Sequence, residues 1–263
     1  MKLKAVLTLF VLLLPQLAVF PQGQAGSGAE SESEYLIDMP TAGVLEKGRV
    51  GVNFYLMPQG VVISRLEVAP FENFSFGISY GAANFIGSGN PQWYKLPGVA
   101  VKAKIVEESE GLPAVALGFD SQGKGEFIKN MNDAEIDRFR IKSPGFYASA
   151  SKNFQFWGYL SLHGTLNYSL ERQDGDKDLN FSMGLEKTIG SRLSVIAEYD
   201  FGINDNTANS LGDGNGYLNC GLRWSLSGNF TVGFDLRDLL NNKKLNAGTA
   251  DRALNVQFVN PIF

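Results

Sequence analysis

The stretch 161–170 reads SLHGTLNYSL, and its alternation decides the fold. Leu162, Leu166, Tyr168 and Leu170, with Leu160 just before them, fall on one side. Ser161, His163, Thr165, Asn167 and Ser169 fall on the other. A period of two belongs to a β-strand with one greasy face and one polar face. The same pattern recurs nearby. Leu193, Val195, Ala197, Tyr199 and Phe201 oppose Ser194, Glu198 and Asp200. Phe230, Val232, Phe234 and Leu236 oppose Thr231, Asp235 and Arg237, while Val99, Val101, Ala103 and Ile105 oppose Lys102 and Lys104.

Worked outward from there, the alternation predicts twelve strands, over 48–56, 60–69, 74–81, 98–106, 113–120, 138–151, 158–170, 179–188, 193–203, 217–226, 229–237 and 252–259. Most have the length that a tilted strand needs to cross a bilayer. Their connections sort into two sets. Those at 70–73, 107–112, 153–157, 190–192 and 227–229 are short. Those at 82–97, 121–137, 171–178, 204–216 and 238–251 are long, with only 57–59 short among them. Transmembrane barrels have tight periplasmic turns and longer outer loops, whereas a soluble sandwich has no reason to sort its connections. A soluble barrel would give the same face alternation, so alternation alone does not separate the two.

Three further features favour the bilayer. The polar face is rich in Gly, Ser, Asn and Thr. Phe71, Phe74, Tyr80, Trp93, Tyr94, Phe154, Phe156, Trp157 and Tyr217 gather near strand ends, where an interfacial aromatic belt lies. The chain ends in Phe263, a terminal aromatic of the kind barrel-assembly machinery reads, with Pro261 nearby to end the last strand. The fold expectation is therefore an all-β, antiparallel, up-and-down transmembrane barrel of about twelve strands.

The start of the chain has a different character. Lys2 and Lys4 precede an apolar run over 5–20, and Gly23 and Ala25 form a G-x-A site. This reads as a cleaved signal peptide over 1–25. The stretch 26–47 reads as a flexible acidic leader, and 48–263 as the barrel. Localisation follows as the outer membrane of a diderm, Gram-negative-type bacterium. With 19% charged residues and a net charge of -4, the 263-residue chain shows no basic stripe for nucleic acid. Its single cysteine, Cys220, makes no internal disulfide.

Several segments carry a family likeness: 40–43 (PTAG), 81–89 (GAANFIGSG), 112–125 (LPAVALGFDSQGKG), 141–153 (IKSPGFYASASKN), 162–171 (LHGTLNYSLE) and 196–206 (IAEYDFGINDN). Through them the chain resembles a family of uncharacterised bacterial outer-membrane β-barrels related to YjbH-type, exopolysaccharide-associated proteins. The resemblance implies the barrel fold over most of the mature chain. It also implies a link to cell-surface or exopolysaccharide biogenesis.

Candidate chemistry is sparse. His163, the only histidine, falls on the polar face in a His-Gly-Thr order. A catalytic pair acting on lipid would face the bilayer and would need an orienting partner. A hydrogen-bonded lumen histidine is the expectation. Asp174, Asp176 and Asp178 have calcium-loop spacing, yet positions six and twelve of such a loop would be Leu179 and Leu185. A solvated outer loop is the expectation there. Gly87, Gly89, Gly123 and Gly125 precede no helix and read as turn residues, not a phosphate cradle. No cofactor or metal is expected.

The charges on the polar face form the candidate site. Arg65, Lys102, Lys104, Arg138, Arg140 and Lys142 come from the first half of the chain. Glu186, Glu198, Asp200 and Asp235 come from the second, with Arg223 and Arg237 among them. Asp120 falls between two basic strands and is expected to act as a hub. Buried charge needs a partner, so pairing across the lumen is expected, giving a salt-bridged plug. The functional expectation is a non-enzymatic barrel acting as a narrow channel, a scaffold or a polysaccharide accessory. The alternatives are a barrel enzyme acting on lipid, or a soluble periplasmic ligand-binding barrel. Expected partners are outer-membrane lipid, barrel-assembly machinery and polysaccharide.

Overall fold

The computed structural model describes residues 25, 27, 32–131 and 133–262. Of the signal peptide read over 1–25, residues 1–24 lie outside the described residues, as does the terminal Phe263.

Twelve strands form the barrel: β1 (Arg49–Met57), β2 (Val61–Phe71), β3 (Phe74–Ala83), β5 (Gly98–Val106), β6 (Ala114–Asp120), β9 (Gly145–Gln155), β10 (Tyr159–Tyr168), β11 (Asn180–Ile189), β12 (Leu193–Asp200), β13 (Tyr217–Ser227), β14 (Phe230–Arg237) and β15 (Asp251–Pro261). Two-residue β4 (Gln92–Trp93) lies on the upper edge of β3, and β7 (Lys124–Met131) pairs with β8 (Ala134–Ile141) in a separate hairpin. Every neighbouring pair in the ring is antiparallel. β1 pairs with β15 from Arg49↔Pro261 to Leu56↔Leu254, which closes the sheet. Closure removes both strand edges, so each ladder N–H and C=O has a partner without water. Pro261 is tolerated because it is the last residue of its strand.

The faces settle which environment the barrel occupies. Phe54, Leu66, Phe76, Val101, Leu117, Phe146, Leu166, Trp224, Phe234 and Phe258 point outward and are exposed. Ser75, Ser149, Thr165, Ser182, Ser194 and Asn219 point inward and are buried. A soluble barrel would have the reverse arrangement. Greasy outside and polar inside, this is a membrane-spanning barrel of the outer-membrane type. The start of β1, the end of β15 and the short turns share one rim, the periplasmic one in such barrels, and the long loops share the other.

One predicted strand is two elements. The segment 138–151 is interrupted at Ser143–Pro144–Gly145: Pro144 has no N–H for a ladder, and Gly145 adopts φ +64°. A Cβ at Gly145 would lie 2.1 Å from the Tyr168 carbonyl oxygen, so the close approach of β9 to β10 also needs glycine. Residues before the break belong to the β7–β8 hairpin, which folds inward. Phe139 and Ile141 pack against Tyr55, Val61, Ile63 and Tyr94 on the inner wall. Arg138, Arg140 and Lys142 therefore stand in the outer mouth and not on the barrel wall.

The expected free leader is also revised. Residues 33–45 are buried almost without interruption. They form a hairpin inside the lumen, with Leu36 N bonded to Met39 O at 3.0 Å and Thr41 N to Glu34 O at 3.0 Å. Leu45 packs on Ala69 and Val259 near the periplasmic rim, and the tip reaches toward the loops. The physical reason is size. About eight strands make a lumen that side chains alone can fill, and twelve leave room for a chain segment.

An arginine at Leu166, on the lipid face, is expected to destabilise the barrel by about 2–4 kcal/mol. Leu239→Arg, in an outer loop, should change stability by less than about 0.5 kcal/mol. Urea unfolding in lipid vesicles measures both, and equal effects would contradict the outward belt.

Candidate functional site: the occupied lumen

The site is the contact between the 33–45 hairpin and the wall. On the β10–β14 side, the Glu198 carboxylate accepts three successive backbone N–H groups, from Ile37 at 3.0 Å, Asp38 at 3.0 Å and Met39 at 2.9 Å. Asn219 Nδ2 donates to the other Glu198 oxygen at 3.1 Å. Arg223 bridges Asp235 at 2.5 Å and donates to the Leu36 carbonyl at 2.8 Å. Glu186 accepts from Ser33 Oγ at 2.5 Å. Thr165 and Ser149 both donate to the Pro40 carbonyl, at 2.6 and 3.1 Å, and Ser151 Oγ accepts from Ala42 N at 2.9 Å.

On the opposite side Lys102 Nζ donates to the Glu34 and Gly43 carbonyls at 2.7 and 3.0 Å. Lys104 pairs with Glu32 at 2.7 Å. Asp120 pairs with Arg65 and accepts the Tyr35 hydroxyl at 2.6 Å. The Tyr35 ring lies under the cations of Arg65 and Lys102, each 4.9 Å from its centroid. At the tip, Asp38 binds Lys124 at 2.9 Å and Arg237 at 3.0 Å. Arg237 also reaches Asp235 at 3.4 Å.

The expected direct pairing between basic and acidic walls is replaced by pairing through the hairpin. Lys102, Glu186 and Glu198 each find a partner on it, and Lys104 finds Glu32 just before it. Among the described residues of that set, Arg65–Asp120, Arg223–Asp235 and Arg237–Asp235 are wall-to-wall, and the last two join adjacent positions. Asp200 stands apart, accepting from Asn180 Nδ2 and Gly202 N, both at 2.8 Å.

A second cluster closes the outer mouth. Arg138 binds Asp174 at 2.8 Å and Asp205 at 2.5 Å, and Lys142 binds Asp174 at 2.8 Å. Arg140 pairs with Glu126 on its own hairpin. Asp174 and Asp176 are thus buried at 2% exposure, not solvated as their loop position implied. Asp176 receives the Asn206 N–H at 3.0 Å, which ties two outer loops together. Between this cluster and the hairpin tip lies a cavity of about 80 Å³, bordered by Asp38, Arg138, Arg237, Asp200 and Tyr217. His163 lies deeper in the lumen. Its Nδ1 is 2.8 Å from Ser151 Oγ, and its Nε2 is buried without a hydrogen-bond partner among the described residues.

Tyr35, Asp38 and Lys124 were not singled out from the sequence. A signal was present: 35–39 reads YLIDM, an apolar run with one acid, inside a segment otherwise suited to a leader.

Fold and site together define the class: an outer-membrane β-barrel whose lumen is filled by its own N-terminal segment. No family model and no curated protein matches the chain. Solved structures to which it is similar include a KdgM porin, with 13% identity over 80% of this chain and 98% of that one and a TM-score of 0.46. They also include the outer membrane protein Omp33 of Acinetobacter baumannii, with 12% identity, 80% and 96% coverage and a TM-score of 0.45. A NanC porin gives 10% identity, 80% and 98% coverage and a TM-score of 0.41.

Burial opposes ionisation of Asp205, but Arg138 outweighs it and holds the carboxyl below its ordinary 3.8. A lowered folded pKa gives stability that is present above the ordinary value and lost as pH falls through the lower one. The loop clamp is therefore expected to stay shut at pH 5 and to open only in strong acid, below about pH 3.8. Asp205→Asn should open it at neutral pH. Hydrogen exchange of backbone amides over 201–216 reads both, and a loop indifferent to the substitution would refute the clamp.

Proposed function

We propose that this protein is a non-enzymatic outer-membrane barrel that serves as a narrow channel held shut by its 33–45 hairpin. The observation that carries the reading is the hairpin itself. A twelve-stranded barrel has a lumen wide enough to conduct, and here that path is occupied by a segment entering from one rim. The segment is held by hydrogen bonds and ion pairs to a polar wall and by no covalent bond, with Leu36, Ile37, Met39 and Leu45 as its larger apolar contacts.

Support for the non-enzymatic part comes from His163. It faces the lumen beneath the hairpin, away from lipid esters, and among the described residues its one hydrogen bond is to a serine hydroxyl and none is to a carboxylate. The interaction partners that fit this reading are outer-membrane lipid around the belt and barrel-assembly machinery during insertion. A second reading, a role in exopolysaccharide biogenesis, rests on the sequence resemblance to YjbH-type proteins. It predicts that deletion of the gene changes the yield of cell-surface polysaccharide.

The channel reading is tested with the full-length chain. Ala42 is fully buried against Ala114 and Ala116, and a Cβ on Gly43 would lie 2.3 Å from the Ser33 carbonyl oxygen. Ala42→Trp combined with Gly43→Val should expel the hairpin while leaving the wall intact. In planar bilayers the native protein is expected to stay closed and the double variant to show discrete conductance steps. Heat-modifiable gel mobility verifies that the variant is still a closed barrel. A folded variant that never conducts, even with Asp205→Asn added to open the outer mouth, would sink the channel reading.

A further inference from the structure

The wall recognises the hairpin mainly through its backbone. The polarity of each wall group matches the peptide group that it meets. Glu198, an acceptor, faces three consecutive N–H donors. Lys102 and Arg223, donors, face carbonyls of Glu34, Gly43 and Leu36. Thr165 and Ser149 present hydroxyl donors to the Pro40 carbonyl, and Ser151 presents an acceptor to Ala42 N–H. These groups sit on both sides of the lumen and are buried.

Such sorting is needed only for a ligand whose donors and acceptors are distinct and fixed in order. A peptide main chain is such a ligand. A neutral glycan is not, because each hydroxyl both donates and accepts. Backbone recognition also leaves most side chains of the ligand loosely specified. The exceptions are Ser33, Tyr35 and Asp38, whose side chains meet Glu186, Asp120 and the Lys124–Arg237 pair, and Ala42, where the wall allows only a small residue.

We infer that the lumen wall is a binding site for extended peptide main chain, with the 33–45 hairpin as its resident ligand. In its consequence for transport this rests on the channel reading, and it makes peptides the solute class. Tethering gives the resident segment a high effective concentration, so a free peptide competes only when the hairpin is displaced.

The probe is a fluorescein-labelled synthetic peptide of residues 33–45, followed by fluorescence anisotropy. The full-length Ala42→Trp/Gly43→Val variant is expected to bind it saturably, and the native protein not at all. N-methylation of the peptide at Ile37, Asp38 and Met39 removes the donors that face Glu198. It should weaken binding about tenfold or more, because hydrogen bonds to a charged acceptor are the stronger kind. Glu198→Gln in the double variant should weaken the unmodified peptide in the same direction. Excess maltoheptaose should leave the bound peptide in place.

Three results would overturn the inference: no binding to the double variant, equal binding of the methylated peptide, or displacement by maltoheptaose, which would make the site a glycan site. The two readings fail separately. Peptide binding without conductance would remove the channel and keep the peptide site. Conductance without peptide binding would do the opposite.

Discussion

Lipid offers no hydrogen bonds, and this constraint governs the whole structure. A strand edge left open in the bilayer would carry a row of unsatisfied N–H and C=O groups, each costing several kcal/mol. The β1–β15 pairing, eight residues long in its register, removes that edge. Closure then fixes everything else. The greasy side of each strand must face outward, the polar side must face inward, and the lumen must satisfy whatever the inward side presents.

The last requirement explains the hairpin. Glu198, Lys102, Arg223 and Glu186 are buried charges that need partners. Glu186, Glu198 and Arg223 stand on the consecutive strands β11, β12 and β13, with Lys102 across the ring on β5, and of these only Arg223 has an acid on the wall, Asp235. A segment threaded between them supplies N–H groups to Glu198, the Ser33 hydroxyl to Glu186 and carbonyls to the cations. It contributes few charges of its own beyond Glu32, Glu34 and Asp38. The lumen is therefore filled by polar matching, whereas a soluble core is filled by apolar packing. The apolar contacts inside are small: Leu36, Ile37 and Met39 against Ile196, and Leu45 against Ala69 and Val259.

The outer mouth is closed by a different device. The β7–β8 hairpin turns inward, anchored by Phe139 and Ile141 on an aromatic and aliphatic cluster. Arg138 then collects Asp174 and Asp205 from two further loops. The hairpin tip meets this assembly at Lys124, which pairs with Asp38 and donates to the Ile37 carbonyl.

Period-two alternation and the sorting of short and long connections were determined by the sequence alone. Both are local properties, since a strand's two faces and its length are set by residues within ten positions of each other. They led to twelve strands, with β10, β12, β13 and β14 close to their final bounds. Two things were decided only by the tertiary structure. One is the course of the chain before the break at Ser143–Pro144–Gly145, which moved Arg138, Arg140 and Lys142 from the wall to the mouth. The polar positions change from even before Pro144 (Arg138, Arg140, Lys142) to odd after it (Ser149, Ser151), so the sequence marks the break, and only the packing of Phe139 and Ile141 shows where the first half goes. The other is the fate of 33–45. Its composition resembles a leader, and its burial depends on groups as distant in sequence as Glu198 and Arg223. No local property of 33–45 encodes that partnership, because the site exists only once the ring has closed around it.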